Sequence, residues 1–336
     1  MKEDQGLCAG LLRVWSGSGE TGNRGVWGSS FLMIHPPRTS SDRQSFGIAL
    51  AIPNLYSMSP SPQTTVFLQA AIDAVRAAGA VALARQKTLG PSRFKGAKDV
   101  VTEADLECDR LIRTRLLKDF PDHDLLTEED EAVRQGSDYC WIVDPIDGTI
   151  NYAHGIPLWG VSVGLSYQGK MLCGAIYLPV YDELYTAVAG GGAFLNGEPI
   201  HVGPCSNITE AIVSHGDFNV GADDAERHQL NAENFWGRMR TVASVQRVKC
   251  LGSAVVEGAY VAMGRLDGYW MGYFKAWDVA VTTLLVAEAG GRVTDLHGNP
   301  WTLESRTALF SNGTLHTALL AALDWDSKRV PDPARG

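Results

Sequence analysis

From Trp141 to Thr149 the chain reads Trp-Ile-Val-Asp-Pro-Ile-Asp-Gly-Thr. Alternation of Trp141 and Val143 predicts a strand that delivers Asp144 at its end. Pro145 keeps the residue before it extended and removes a backbone donor, so a turn is expected there. Gly148 permits close backbone approach, and Thr149 can open a following turn or helix. Two carboxylates three residues apart on a rigid turn can point into one volume, and the Gly148-Thr149 main chain can offer N–H groups to an anion. Taken alone, Pro, Asp and Gly also read as an ordinary turn.

The turn reading leaves the other acids unexplained. Glu128 and Glu129 follow a short predicted strand, Leu125–Thr127. Asp278 starts a predicted helix, Trp277–Glu288, beyond a strand at Leu266–Trp270. Asp105 lies in the first turn of a helix expected to begin at Thr102, where Thr-Glu-Ala-Asp fits a capping box. Each could merely cap a helix or face solvent. Together they suggest convergence, and converging carboxylates repel unless a cation joins them. The donors are all oxygen, with no His or Cys at ligand spacing, which favours Mg²⁺, with Mn²⁺ as a substitute, over Zn²⁺. Two such ions about 3.5–4 Å apart form the usual clamp for in-line phosphoryl chemistry. Composition matters here: a net charge of −9 and a pI near 5.4 argue against a nucleic-acid or anionic-membrane binder. They would also repel a phosphate ester unless bound cations reversed the local field.

Residues 1–57 are rich in Gly, Ser, Arg and Pro and lack periodicity; they are expected to be a disordered extension, or a start placed too early with Met58 as the true one. An Ala-rich amphipathic helix is expected over Thr64–Arg85. Short strands follow at Cys140–Val143, Gly160–Ser166 and Met171–Leu178, the last two joined at Gln168-Gly169, with a further hairpin at Asn196-Gly197. Beyond about Pro204, strands (Ala211–Ser214, Leu266–Trp270, Arg292–Asp295, Ala308–Ser311) alternate with helices (Asp223–Met239, Ser253–Met263, Trp277–Glu288, Leu315–Leu323). The expected organisation is an α+β half over 58–203 and an α/β half over 204–336. The six cysteines form no C-x-x-C pair and read as buried small side chains in a reducing compartment. No apolar run reaches membrane-spanning length, the longest being near Ile48–Ile52, and the N-terminus lacks a signal core. A soluble cytoplasmic protein is the expectation.

At these residues the chain resembles the inositol monophosphatase family. Asp144-Pro-Ile-Asp-Gly-Thr149 is similar to its first signature, and Trp277-Asp-Val-Ala with Glu288-Ala-Gly-Gly291 to its second. The spacing from Asp99 through Asp105 and Phe120-Pro-Asp-His123 to Glu128-Glu129 also matches, as do Gly190–Gly197 and Gly252-Ser-Ala254. The likeness runs from about Met58 to the C-terminus. It implies a layered α-β-α-β-α sandwich of the inositol monophosphatase and fructose-1,6-bisphosphatase type. It also implies Mg²⁺-dependent, commonly lithium-sensitive hydrolysis of a small phosphate monoester, foremost inositol monophosphate, without a covalent intermediate. Carried over, Glu128, Asp144 and the carbonyl of Ile146 hold one ion. Asp144, Asp147 and Asp278 hold a second, and a third sits near Glu128 and Asp147. Thr149 and Asp105 orient the attacking water. Gly148, Thr149, Asp278, Lys95, Gly252, Ser253, Ala254 and Met271 face phosphate or substrate. Relatives are often homodimers.

Three departures stand out. Thr127 replaces a usual Gly, and Ile150 a frequent Thr or Lys. Met271 stands where many inositol-selective members have a Glu contacting substrate hydroxyls, and a thioether is a poor acceptor. The rival readings keep the chemistry on histidinol phosphate, fructose 1,6-bisphosphate or a 3′-phosphonucleotide. A more distant one is a catalytically silent metal- or ligand-binding module. Lys249, Lys275, His154 and His215 are left outside the catalytic set.

Overall fold

Helix α1 (Pro62–Gln86) begins where Ser61 caps it. The Ser61 hydroxyl accepts the Thr64 N–H at 3.1 Å, and Pro62 occupies the first turn, where its missing N–H costs nothing. The computed structural model describes residues 61–87, 93–94, 100–218, 224–325 and 327; the expectations for residues 1–57 and for Lys95 fall outside them. By length and composition the Ala-rich α1 is apolar enough to cross a membrane, although charged and polar residues break it into short apolar runs. Its buried face, Phe67, Ala71, Ala74, Val75, Ala78 and Ala82, instead packs in a core shared with α2 and the first sheet.

After a two-residue pairing of β1 (Arg93–Phe94) with β2 (Val100–Val101), α2 (Glu103–Asp119) starts from a capping box at Thr102. A seven-stranded sheet follows, in order β3 (Asp124–Thr127), β4 (Tyr139–Asp147), β5 (Gly160–Tyr167), β6 (Lys170–Leu178), β7 (Glu183–Val188), β8 (Gly192–Leu195) and β9 (Glu198–Pro199). Only β3 and β4 run parallel; the rest is a meander. The short helix α3 (Thr149–Ala153) interrupts it between β4 and β5. Gln168-Gly169 and Asn196-Gly197 make the predicted hairpin turns, all four residues having positive φ.

The second sheet is built from β10 (Ile212–His215), β11 (Arg247–Lys249), β12 (Gly268–Met271), β13 (Arg292–Thr294) and β14 (Ala308–Ser311), in the order β11-β10-β12-β14-β13. β10 is parallel to both neighbours. Helices α4 (Asp224–Ser244), α5 (Ala254–Ala262), α6 (Ala276–Glu288) and α7 (His316–Leu323) link or follow these strands. α1 and α2 cover one face of the first sheet. α5 and α6 lie between the sheets, and α4 and α7 cover the far side of the second. The result is an α-β-α-β-α sandwich.

One expectation is corrected at the centre. Pro145 does not end its strand in a turn; β4 continues to Asp147. Asp144 pairs with Ser162 and Asp147 with Gly160, so three steps on β4 oppose two on β5. That is a β-bulge with one extra residue, and Pro, which lacks a ladder donor, is tolerated there. Side chains alternate along a strand, so residues three apart normally face opposite ways. The extra residue restores Asp144 and Asp147 to one face. Two further strands, β7 and β11, lack a clear alternating pattern and are found only by pairing. Among the described cysteines, Cys108 and Cys173 are buried and free as expected, whereas Cys140 and Cys205 are only half-buried and Cys250 is exposed.

Candidate active site

Gly148 follows the bulge with φ of +85°, a conformation that L side chains rarely adopt, and a Cβ there would lie 3.0 Å from the Leu158 carbonyl oxygen. The chain therefore turns tightly into α3, setting Thr149 beside the two aspartates. The Thr149 hydroxyl is 3.1 Å from the Ile146 carbonyl oxygen and 3.3 Å from Asp105 Oδ1, and can donate to either. The other oxygen of Asp105 accepts the Thr102 N–H at 2.9 Å and its hydroxyl at 2.5 Å. Asp105 thus belongs to a capping box and also reaches Thr149; the two readings of this residue were not exclusive.

Around this turn a cavity of about 190 Å³ is lined by Glu128, Asp144, Ile146, Asp147, Gly148, Thr149, Gly252, Ser253, Ala254, Met271 and Asp278. Each of these was singled out from sequence, and they come from β3's exit, β4, α3, the start of α5, the end of β12 and the start of α6. Asp278 sits in the first turn of α6, where its Oδ2 accepts the Lys275 N–H at 2.7 Å. Asn151 ties the two halves of the rim together, its side-chain amide donating to the carbonyls of Leu158 and Leu251, both at 2.7 Å.

The electrostatics are those of crowded acids. Asp144 is 1% exposed, and one of its carboxylate oxygens, Oδ1, has no hydrogen-bond partner. Burial pushes its pKa well above the usual carboxylate range, and the charges of Glu128, Asp147, Asp278 and Asp105 push the same way. Asp147 is held by Ser253, whose hydroxyl donates to Oδ2, and by the Val255 N–H at 3.0 Å. Burial nevertheless raises its pKa to about 6, opposed by those bonds. Among the described residues, no three His, Cys, Asp or Glu side chains are grouped so as to hold a metal ion by themselves.

Three lining residues escaped the sequence reading: Asp217, Glu257 and Tyr269. Asp217 follows β10 by two residues, which is the same acid-after-strand signal that flagged Glu128. Glu257 is a lone acid in the apolar run of α5, 1% exposed, and accepts the Leu251 N–H at 2.9 Å. Nothing in the sequence distinguishes it from an acid on a solvated face.

Residues 63–328 match the model of the inositol monophosphatase family. An inositol-1-monophosphatase of Mesorhizobium japonicum is 40% identical over 68% of this chain and 85% of its own length. A fructose-1,6-bisphosphatase/inositol-1-monophosphatase of Thermotoga maritima is 35% identical over 68% and 84%. Among solved structures, the extragenic suppressor protein suhB of Bartonella henselae is similar with a TM-score of 0.71 and 31% identity, covering 78% of this chain and all of that one. The sandwich, the acid-lined cleft and these likenesses agree: the chain belongs to the inositol monophosphatase family and is a phosphoric monoester hydrolase.

Proposed function

We propose that this protein hydrolyses a small phosphate monoester with Mg²⁺ and a directly attacking water, and that inositol monophosphate is its first substrate. The observation that carries the metal is the orphaned Oδ1 of buried Asp144 amid four other acids. A carboxylate in that setting needs a cation or a proton. The donor set suits Mg²⁺, which binds through one or two carboxylates, keeps several waters, and does not require an all-protein cage. Glu128, Asp144 and the Ile146 carbonyl would hold one ion and Asp144, Asp147 and Asp278 a second, with a third near Glu128 and Asp147. Bound Mg²⁺ supplies an acidified water and neutralises charge on the phosphate and on the departing alkoxide.

The chain's own groups do the positioning. Thr149 accepts a hydrogen bond from the attacking water while its hydroxyl proton points to Asp105, whose orientation the Thr102 cap fixes. Ser253 and the first amides of α5 fix the Asp147 carboxylate. The N–H groups of Gly148 and Thr149 would take phosphate oxygens. Gly252, Ser253 and Ala254 form the facing rim. The names of the relatives support inositol monophosphate. Met271 in the cleft supports the second reading, the same chemistry on histidinol phosphate, fructose 1,6-bisphosphate or a 3′-phosphonucleotide.

Asp144→Asn tests the assignment. The amide is nearly isosteric but cannot carry the charge, so turnover of inositol 1-phosphate in Mg²⁺ should fall by at least about 10³-fold, roughly 4 kcal/mol of barrier, with the circular-dichroism spectrum retained. Hydrolysis at the wild-type rate would refute it.

A further inference from the structure

The edge of the second sheet that faces the cleft is formed by the carboxyl ends of three parallel strands. In register, Ser214 of β10 lies beside Lys249 of β11, and His215 beside Trp270 of β12. The chain therefore leaves the sheet at three adjacent points, through Asp217, Cys250 and Met271. Carboxyl ends of parallel strands are where open sheets bind ligands. Asp217 and Met271 both line the cleft.

Met271 occupies its point with a thioether that is 9% exposed and packs against Gly216, where an added Cβ would lie 3.0 Å from Met271 Cγ. It offers an apolar wall and no strong acceptor. One residue past Gly216 the geometry is the reverse. Asp217 is exposed at the cleft, and its Oδ1 accepts the Cys250 thiol at 3.1 Å. Among the described residues no side chain hydrogen-bonds its Oδ2, while the Gly216 amide and carbonyl are pinned to Trp270 O at 2.8 Å and His215 Nδ1 at 2.6 Å. The other unassigned acid, Glu257, is 1% exposed and already accepts the Leu251 N–H.

We infer that Asp217 is the specificity-determining residue of the cleft: its carboxylate accepts hydrogen bonds from hydroxyls on the alcohol part of the ester, one strand away from the Met271 position. The inference rests on the proposed hydrolysis of a polyol monophosphate. A carboxylate with one oxygen tethered by Cys250 is pre-oriented for a diol, and Met271 below it packs against the ring carbons. Cys250 is then a positioning residue, without contact to the substrate.

The test compares two esters in the full-length protein with Mg²⁺: inositol 1-phosphate and cyclohexyl phosphate, the same ring without hydroxyls. The readout is the ratio of their kcat/KM values. Loss of a charged acceptor should lower that ratio by about 10- to 100-fold in Asp217→Ala, and Asp217→Asn, which keeps one carbonyl acceptor, should fall between. Because Asp217 is exposed, a melting curve suffices to show that the variants fold. A wild-type ratio in Asp217→Ala overturns the role of Asp217 alone. Turnover of neither ester by the wild-type protein overturns the proposed function and this inference with it.

Discussion

At the scale of single residues, the same physical fact, burial of an ionisable group, has different consequences in different settings. In the cleft it crowds acids and raises the pKa of Asp144 and Asp147. In the outer layer it keeps a histidine neutral. His316 opens α7 with no exposed surface, its two ring nitrogens hydrogen-bonded to Thr294 and Ser311 hydroxyls at 2.9 and 2.8 Å. Burial, with a smaller push from the Arg292 charge, lowers its pKa from 6.5 to about 4. The unfolded chain therefore binds more protons than the folded one between those values, so this residue's contribution is complete above pH 6.5 and is lost as pH falls toward 4. The expected loss is on the order of 2 kcal/mol. Urea unfolding of the wild type and His316→Asn at pH 7.5 and 4.5 checks it. The variant starts less stable, because two hydroxyls lose a partner, but its stability should depend less on pH over that interval by that amount. An equal pH dependence in both would assign the effect elsewhere.

At the scale of elements, legibility followed locality. Helix α1, with its apolar stripe, was readable within two residues at each end and the capped start of α2 within one, and so were the hairpins marked by Gln168-Gly169 and Asn196-Gly197. The bulge in β4 was not, because its signature is the register with β5, a property of two segments; Pro145 was visible but read as a turn. β7 and β11 are strands by pairing and not by pattern. The cleft was legible where acids follow predicted elements, and Asp217 carried the same signal without being picked out. Glu257 was illegible, since its partner is the amide of Leu251. One family motif is explained as structure: the Glu288 carboxylate accepts the Gly190 and Gly192 N–H groups at 2.8 and 2.9 Å, clamping the Gly-rich turn to α6. The contact of α5 with α6 gives a prediction at this scale. A Cβ at Gly258 would lie 1.8 Å from Thr282 Cγ2. Gly258→Ala should cost about 3 kcal/mol through overpacking and displace the helix that presents Ser253. Adding Thr282→Ala removes the obstructing methyl and should recover most of that loss in a denaturant titration. Failure of the second change to rescue would place the strain outside this contact.

At the scale of the whole molecule, a protein with net charge −9 gathers several of its acids in one cleft, where a cation or bound protons must offset their repulsion. Under the proposed Mg²⁺ binding such a site is a strain reservoir: it lowers the stability of the metal-free fold and is relieved when the ion binds. The linkage has a definite sign. Mg²⁺ that binds the folded state alone stabilises it by RT ln(1 + [Mg²⁺]/Kd), about 2.7 kcal/mol at a hundredfold excess over Kd. The metal-free wild type at pH 7.5 should therefore melt at rising temperature as Mg²⁺ is added, well beyond the response to the same ionic strength of KCl. Asp144→Asn should behave oppositely on both counts. Without metal it should be more stable than wild type, by about 1 kcal/mol, because a buried charge among like charges is gone; with Mg²⁺ it should show little further gain. A screened, non-specific effect of salt would raise both proteins alike and in proportion to ionic strength. If the wild type shows no Mg²⁺ response beyond KCl, or if the variant responds equally, then the acids are accommodated by protons or by the fold, and the cation has no structural place in this cleft.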